Sequence, residues 1–329
     1  MTSLTLTCIG RQQNTHDVVS WQLAPLSGSL PPVLAGQCIT LHTEIDGQPE
    51  CRAYTLSSSP QDACWQVTIK DVGRVSRHLH QTLQVGDKIR VDGPFGDFNL
   101  TALPCERPLL LSAGSGITPM WSMLRDELAK RPDADIRFIH SARSSKDVIF
   151  ADELATLTAA HAGVRHALIL EDAPADHPWI GRLTPAMLAE LAPDLRDRHV
   201  YLCGPAPYMA AVRTMLTELG LPPEQLHQES FGLPPAEPIK TTSDHFWLTL
   251  KKSGKKVKIL PGQTLLAALE AAGETIMAAC RAGVCGSCRC TTTGDIERQS
   301  VITLSAQDLE SGVALACSCT AKGDIGLDY

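Results

Sequence analysis

The segment Cys280-Arg-Ala-Gly-Val-Cys285-Gly-Ser-Cys288 restricts the architecture of this chain more than any other. Its three thiols are spaced C-x4-C-x2-C, and a fourth follows in Leu315-Ala-Cys317. That spacing suits four thiolates around a [2Fe–2S] cluster. Three ligands on one loop and a fourth from a distant segment oblige the chain to return to the loop from its far side. Gly283, Gly286 and Ser287 are small enough to let the loop wrap closely and aim N–H groups at the sulfurs. Cys319 would share the face of Cys317 in a strand and is a rival for the fourth position. The apolar run Val313–Ala316, leading directly into Cys317, favours the latter. Zinc prefers paired C-x2-C knuckles and fits this loop less well.

Cys290 completes a C-terminal cluster of six; the other six of the 12 cysteines (Cys8, Cys38, Cys51, Cys64, Cys105 and Cys203) are scattered, as expected of small buried hydrophobes. A chain of 329 residues suits two or three domains rather than one core. A formal charge of -7 and no evident basic stripe argue against a nucleic-acid partner. The N-terminus lacks a basic segment followed by an apolar one, so no signal peptide is expected. No apolar run approaches the roughly 18 residues needed to span a bilayer. The expectation is a cytoplasmic protein with no membrane partner.

Residues 1–103 read as short strands broken by turn signals: Leu4–Ile9, Val18–Leu23, Cys38–Leu41, Trp65–Ile69 and Lys88–Val91, with a helix near Arg77–Leu83. This suggests a closed antiparallel β-barrel. Over 104–232 strands alternate with helices, and Leu109–Ala113 is apolar throughout, as in a strand buried on both faces. An α/β, doubly wound parallel sheet follows. Residues 233–245 are rich in proline and hydroxyls and read as a linker. Residues 246–329 begin with a hairpin around Ser253-Gly254 and a helix at Leu265–Ala272, then reach the cysteine loop.

Four further motifs carry chemistry. Arg52-Ala-Tyr54-Thr55 places a guanidinium, an aromatic ring and a hydroxyl along one strand, suited to a phosphate, a ring system and a ring nitrogen. Alone, such a pattern more often marks a solvated sheet edge. Gly73-Arg-Val75-Ser76 opens a helix, and a helix N-terminus is an anion site. Leu109–Ala113 runs into Gly114-Ser-Gly116-Ile-Thr118-Pro119, a turn whose glycines allow close approach to a pyrophosphate. Val200–Leu202 ends at Cys203-Gly204-Pro205, where a small thiol could approach a planar ring. After Ile136–His140 comes no acidic residue to grip a ribose hydroxyl; Arg143, Ser144, Ser145 and Lys146 lean locally toward a 2′-phosphate.

The order R-x-Y-[ST], G-x-V-S, G-P-x-G, G-x-G-x-T-P resembles the ferredoxin–NADP reductase superfamily, and residues 246–329 resemble a plant-type ferredoxin of the β-grasp fold. The resemblance implies that Arg52, Gly73, Val75 and Ser76 hold the phosphates of FAD. Tyr54 then lies against the isoalloxazine, Thr55 sits near its N5, and Thr68–Lys70 line the isoalloxazine and ribityl region. It further implies that Gly114, Gly116, Thr118, Pro119, Arg143, Ser144, Cys203, Gly204 and Pro205 bind the nicotinamide nucleotide. Glu229 and Phe231 would stand at the flavin, with Phe231 covering it until nicotinamide enters. Cys280, Cys285, Cys288 and Cys317 would hold the cluster. Arg52–Pro60, Asp147–Glu153, Gly181–Thr184, Cys203–Met209 and Leu315–Cys319 are similar to the NADH oxidoreductases that serve the hybrid-cluster protein. That similarity implies NADH as donor, with NADPH as the alternative, and the hybrid-cluster protein as electron acceptor. A Rieske or diiron oxygenase is the rival acceptor, and a redox-sensing binding protein the rival of another class. His78, His80 and His140 are expected to be surface or packing residues.

Overall fold

The computed structural model describes residues 2–231, 245–278, 281, 283, 286–299 and 304–329. The linker reading therefore lies outside the described residues except at His245. The main division of the chain falls after Phe231.

The first module is an antiparallel sheet of β1 (Thr2–Thr15), β2 (Val18–Pro25), β3 (Cys38–Ile45), β4 (Gln48–Thr55), β5 (Trp65–Lys70) and β6 (Lys88–Phe95), in the order β4-β3-β6-β1-β2-β5. Its ends meet through the antiparallel bridge Leu56↔Val67 and the bond from Ser57 N to Gln66 O at 2.8 Å. Alternation along β2 sends Val19, Trp21 and Leu23 inward, where they are fully buried. The helix α1 (Arg74–Thr82) starts three residues earlier than its apolar pattern predicts. The reason is local: Ser76 Oγ accepts the N–H groups of Gly73 and Val72 at 2.9 and 3.0 Å, which nucleates the first turn. Trp21 Nε1 donates to Leu83 O at 3.1 Å and ties the barrel to the end of that helix.

The second module is a parallel sheet of β7 (Pro108–Ala113), β8 (Ile136–Ser144), β9 (Val164–Asp172), β10 (His199–Cys203) and β11 (Leu226–Glu229), ordered β11-β10-β7-β8-β9. The helices α2 (Ile117–Lys130), α3 (Ala151–Ala160), α4 (Pro185–Leu191) and α5 (Ala206–Glu218) cover it. Leu110, Phe138 and Tyr201 face one core, and Leu109, Ile139 and Leu202 the other. Two-sided burial is why β7 reads as an apolar run, interrupted at Ser112, whose buried hydroxyl meets His140 Nδ1 at 2.8 Å. At the N-terminal edge Arg198, fully buried, bonds Asp135 at 2.7 and 2.8 Å and Asp194 at 2.8 Å, while Arg137 and Arg107 share Asp194. Strand order reverses between β7 and β10, so the carboxyl ends of these two strands border a crevice.

The third module has β12 (Phe246–Leu250), β13 (Lys256–Ile259), α6 (Leu265–Ala271), β14 (Arg289–Thr293), β15 (Ile296–Arg298), α7 (Ala306–Glu310), β16 (Val313–Leu315), β17 (Cys319–Ala321) and β18 (Ile325–Asp328). Five strands form a sheet ordered β13-β12-β18-β14-β16, and β15 pairs with β17. Thr264 caps α6 by accepting from Ala267 N at 3.2 Å. Leu265, Leu266, Ala268 and Leu269 of α6 pack into the core formed by Leu248, Ile259, Leu315 and Leu327. Among the described residues no helix is long and apolar enough to cross a membrane.

Candidate functional site

β4 ends at buried Thr55, with Tyr54 half-buried against the barrel core. The Arg52 guanidinium donates to the Cys51 carbonyl at 2.6 Å. Thr68 lies in a buried hydroxyl trio, 2.7 Å from Ser20 Oγ and 2.7 Å from Ser57 Oγ. Lys70 Nζ is 3.2 Å from Asp17. Val75 points into the barrel core, which leaves only its backbone for a ligand. The Ser76 hydroxyl donates to Gly73 O at 3.1 Å, so it closes its own turn. The first-turn N–H groups of α1 have no carbonyl ahead of them within the helix. A Cβ at Gly73 would meet nothing within 4 Å. Open space beside unshared N–H groups fits a phosphate.

The two glycines of the nicotinamide motif differ in purpose. Gly114, at φ +51°, faces space in which a Cβ would touch nothing within 4 Å. A Cβ at Gly116 would lie 2.3 Å from Cys203 O and 2.7 Å from Gly204 N. Gly116 therefore lets the turns after β7 and β10 pack backbone to backbone, whereas Gly114 leaves room for a ligand. Gly204 is buried and Pro205 exposed. Thr118 Oγ1 donates to Ser115 O at 3.1 Å, and Pro119 is buried in the first turn of α2.

At the end of β8 the sequence reading needs correction. A short turn folds Asp147 back so that its Oδ2 accepts from Ser144 N at 3.0 Å and Ser144 Oγ at 2.6 Å. A carboxylate thus stands where none was expected. The Ser-x-x-Asp spacing of a capping box was its signal. Arg143 beside it is exposed.

The flavin and nicotinamide motifs meet through their side chains at the end of β4. Thr55 Oγ1 lies 3.4 Å from Glu229 Oε2, across 174 residues. Glu229 is delivered there by β11, in register with Cys203 of β10. Burial, with the Glu229 charge beside it, pushes the Cys203 thiol well up from its ordinary value, so it stays protonated. Phe231 is 47% exposed. His140 is a packing residue: it is fully buried, Nδ1 is 2.8 Å from Ser112 Oγ, and burial then His166 push it down to about 3. His80 Nε2 is 2.9 Å from Ile69 O, with its ring edge-on to Trp21.

In the third module Cys280 and Cys285 lie outside the described residues. Cys288 and Cys317 are buried, with their sulfurs 3.2 Å apart. A disulfide would need about 2.05 Å. Gly283 N donates to Cys317 Sγ at 3.2 Å, and Cys317 N to Cys288 Sγ at 3.5 Å. Two converging thiols that receive backbone N–H groups are a donor set that fits thiolate-bound iron. Cys317 and Cys319 do not share a strand face. A 3-10 turn, Ala316–Ser318, separates them and turns Cys317 toward Cys288. Cys290 Sγ approaches Ala314 O at 3.5 Å, and burial pushes its thiol up to about 12.

Three family models match in this order: an oxidoreductase FAD-binding domain over 12–100, an oxidoreductase NAD-binding domain over 110–214, and a 2Fe-2S iron-sulfur cluster binding domain over 248–322. The chain is 36% identical over 344 residues to the glycine betaine monooxygenase reductase subunit of Pseudomonas aeruginosa, covering 98% of this chain and 94% of that one. It is 34% identical over 307 residues to the NADH oxidoreductase HCR of Escherichia coli, covering 92% and 90%. Among solved structures, phthalate dioxygenase reductase superposes with a TM-score of 0.64 at 25% identity, covering 99% of this chain and 98% of that one.

Proposed function

The chain belongs to the phthalate dioxygenase reductase type of the ferredoxin–NADP reductase family and is an NAD(P)H-dependent flavin and iron–sulfur oxidoreductase; from that premise we propose that it is the reductase component of an oxygenase, fed by NADH. The observation that carries the reductase reading is the meeting of Thr55 and Glu229, which joins the last residue of the flavin-motif strand to the end of the nicotinamide sheet. Bound FAD and the cluster would convert a donated electron pair into single electrons.

The protein's own residues supply placement. Arg52, Tyr54, Thr55, Thr68, Lys70 and the Gly73–Ser76 turn hold FAD, the phosphates resting on the first-turn N–H groups of α1 rather than on the Ser76 hydroxyl. Gly114, Thr118, Pro119, Gly204 and Pro205 line the dinucleotide crevice, with Gly116 keeping its two turns together. Cys203 offers a small neutral surface to the nicotinamide, and Glu229 aligns it beside Thr55. Phe231 covers the flavin face. Cys280, Cys285, Cys288 and Cys317 hold the cluster.

NADH is favoured over NADPH because the Ser144 hydroxyl is already given to Asp147, which also sets a negative charge beside Arg143. The name of the Escherichia coli relative points the same way. We place the protein in the cytoplasm, where a reducing environment keeps cysteines as thiols able to hold a cluster.

Two acceptors compete. Full-length similarity to the reductase subunit of a monooxygenase supports an oxygenase component. The 34% identity to the hybrid-cluster-type reductase supports the hybrid-cluster protein, in nitric oxide or hydroxylamine metabolism. The test is anaerobic reduction of each purified acceptor by NADH with a catalytic amount of this enzyme. Faster reduction of the oxygenase component is expected. Faster reduction of the hybrid-cluster protein would reverse the assignment.

A further inference from the structure

Among the described residues of 281–286, three lie in the left-handed region: Arg281 at φ +56°, Gly283 at φ +74° and Gly286 at φ +72°. Glycine adopts this conformation without strain, so the two glycines explain themselves. Arginine does not. A strained residue persists where its surroundings over-determine it. Here the surroundings are visible. Arg281 Nη1 donates to Glu270 Oε2 at 3.0 Å, and Nη2 donates to the other oxygen of the same carboxylate. The pair is bidentate, the geometry in which an arginine fixes orientation as well as charge.

Glu270 stands in the last turn of α6, whose apolar face is locked into the module core. α6 also packs against the Ala316–Ser318 turn that carries Cys317. One helix therefore frames both sides of the thiol set: the Cys317 side by packing, and the start of the cysteine loop by the ion pair. Between the two lies the Gly283 N–H that donates to Cys317 Sγ.

We propose that Glu270 and Arg281 are positioning residues for the cluster, bolting the left-handed start of the cysteine loop to α6 so that the Gly283 N–H stays aimed at the Cys317 sulfur. The proposal rests on reading Cys280, Cys285, Cys288 and Cys317 as the ligands. Hydrogen bonds to the sulfurs set both retention and potential. A loosened loop therefore releases iron faster and lowers the potential, whichever partner is removed.

The test uses the full-length holoenzyme with Glu270→Gln, Arg281→Gly and the double variant. Two quantities are read: the rate at which an iron chelator bleaches the cluster absorbance, and the cluster's midpoint potential by spectroelectrochemical titration. Each single variant should bleach about 10-fold faster than the parent. The double variant should be no faster than the singles, because both remove one interaction. Both single variants should shift the potential in the negative direction. A pure charge effect predicts otherwise: deleting a negative group raises the potential and deleting a positive one lowers it. Opposite shifts, unchanged bleaching, or multiplying effects in the double variant would each overturn the proposal. Failure of the underlying ligand reading looks different, since Cys288→Ser and Cys317→Ser would then keep the parent's cluster spectrum.

Discussion

The parallel sheet and the C-terminal sheet have five strands each, yet they bury their polar groups by different means. The parallel sheet matches the buried cation at its N-terminal edge, Arg198, with Asp135 and Asp194. Its middle is mostly apolar on both faces, with buried His140 set against Ser112, and buried Glu229 stands at the opposite end. The C-terminal module places Cys288, Cys290, Cys317 and Cys319 inside its main core. Thiols are weak hydrogen-bonding groups and complete no network of their own. The first sheet is thus finished by its own side chains. With Cys288 and Cys317 as the proposed ligands, the second would draw part of its stability from the cluster they hold.

The largest expected effect attacks the second half of that comparison. Cys317→Ser should abolish the cluster absorbance while FAD stays bound, and it should lower the thermal transition of the C-terminal module alone. Cys319→Ser should keep the cluster. The reverse pattern would make Cys319 the fourth ligand.

Arg198→Met tests the first half. It removes the buried cation from two carboxylates that keep Arg107 and Arg137, and the lost charge-assisted bonds should destabilise the N-terminal unit by about 3 kcal/mol, measured by denaturant unfolding. The effect has a predictable pH dependence. Hydrogen bonds from Arg198 hold the Asp194 carboxyl well below the usual range. At Asp135 burial acts upward but is outweighed by bonds from Arg198 and Arg107. Carboxyls depressed in the folded state stabilise it above their unfolded value near about 4, and that stability is lost as pH falls through the folded values. The gap between parent and variant should therefore be full at pH 7 and narrow below about pH 4.

The smallest effects separate the two glycines. Gly116→Ala should cost about 2 kcal/mol and raise the KM for NADH, because its Cβ meets backbone that cannot retreat. Gly114→Ala, with space around it, should cost only about 1 kcal/mol through its left-handed backbone. Equal costs would show that the turns can separate.

Much of this was legible because it is local. The cysteine spacing, the glycine turns and the two-sided apolar run of β7 each state their chemistry within a few residues. Module order followed from them. What escaped was non-local or too short to show a period. β11 is four residues long and is a strand only because β10 lies beside it. β15 and β17 have three residues each and define one another. The 3-10 turn at Ala316–Ser318 has no alternation to betray it, which is why Cys319 stands in the sequence as a rival to the preferred Cys317. Resemblance supplied Thr55 and Glu229 separately, but their contact spans 174 residues and no window of sequence contains it. Asp147 escapes for a different reason: it lies beyond the strand and returns to Ser144 only through the turn that follows.

The close fit of Gly116 against Cys203 and Gly204 bears on how such a reductase can diversify. A substitution in either turn is judged by the shape of the other, so single changes at this crevice meet resistance that paired ones avoid. A library that randomises one turn would mostly sample failures. Transplanting both turns as one cassette is the route by which donor preference can be rewritten without unseating the sheet.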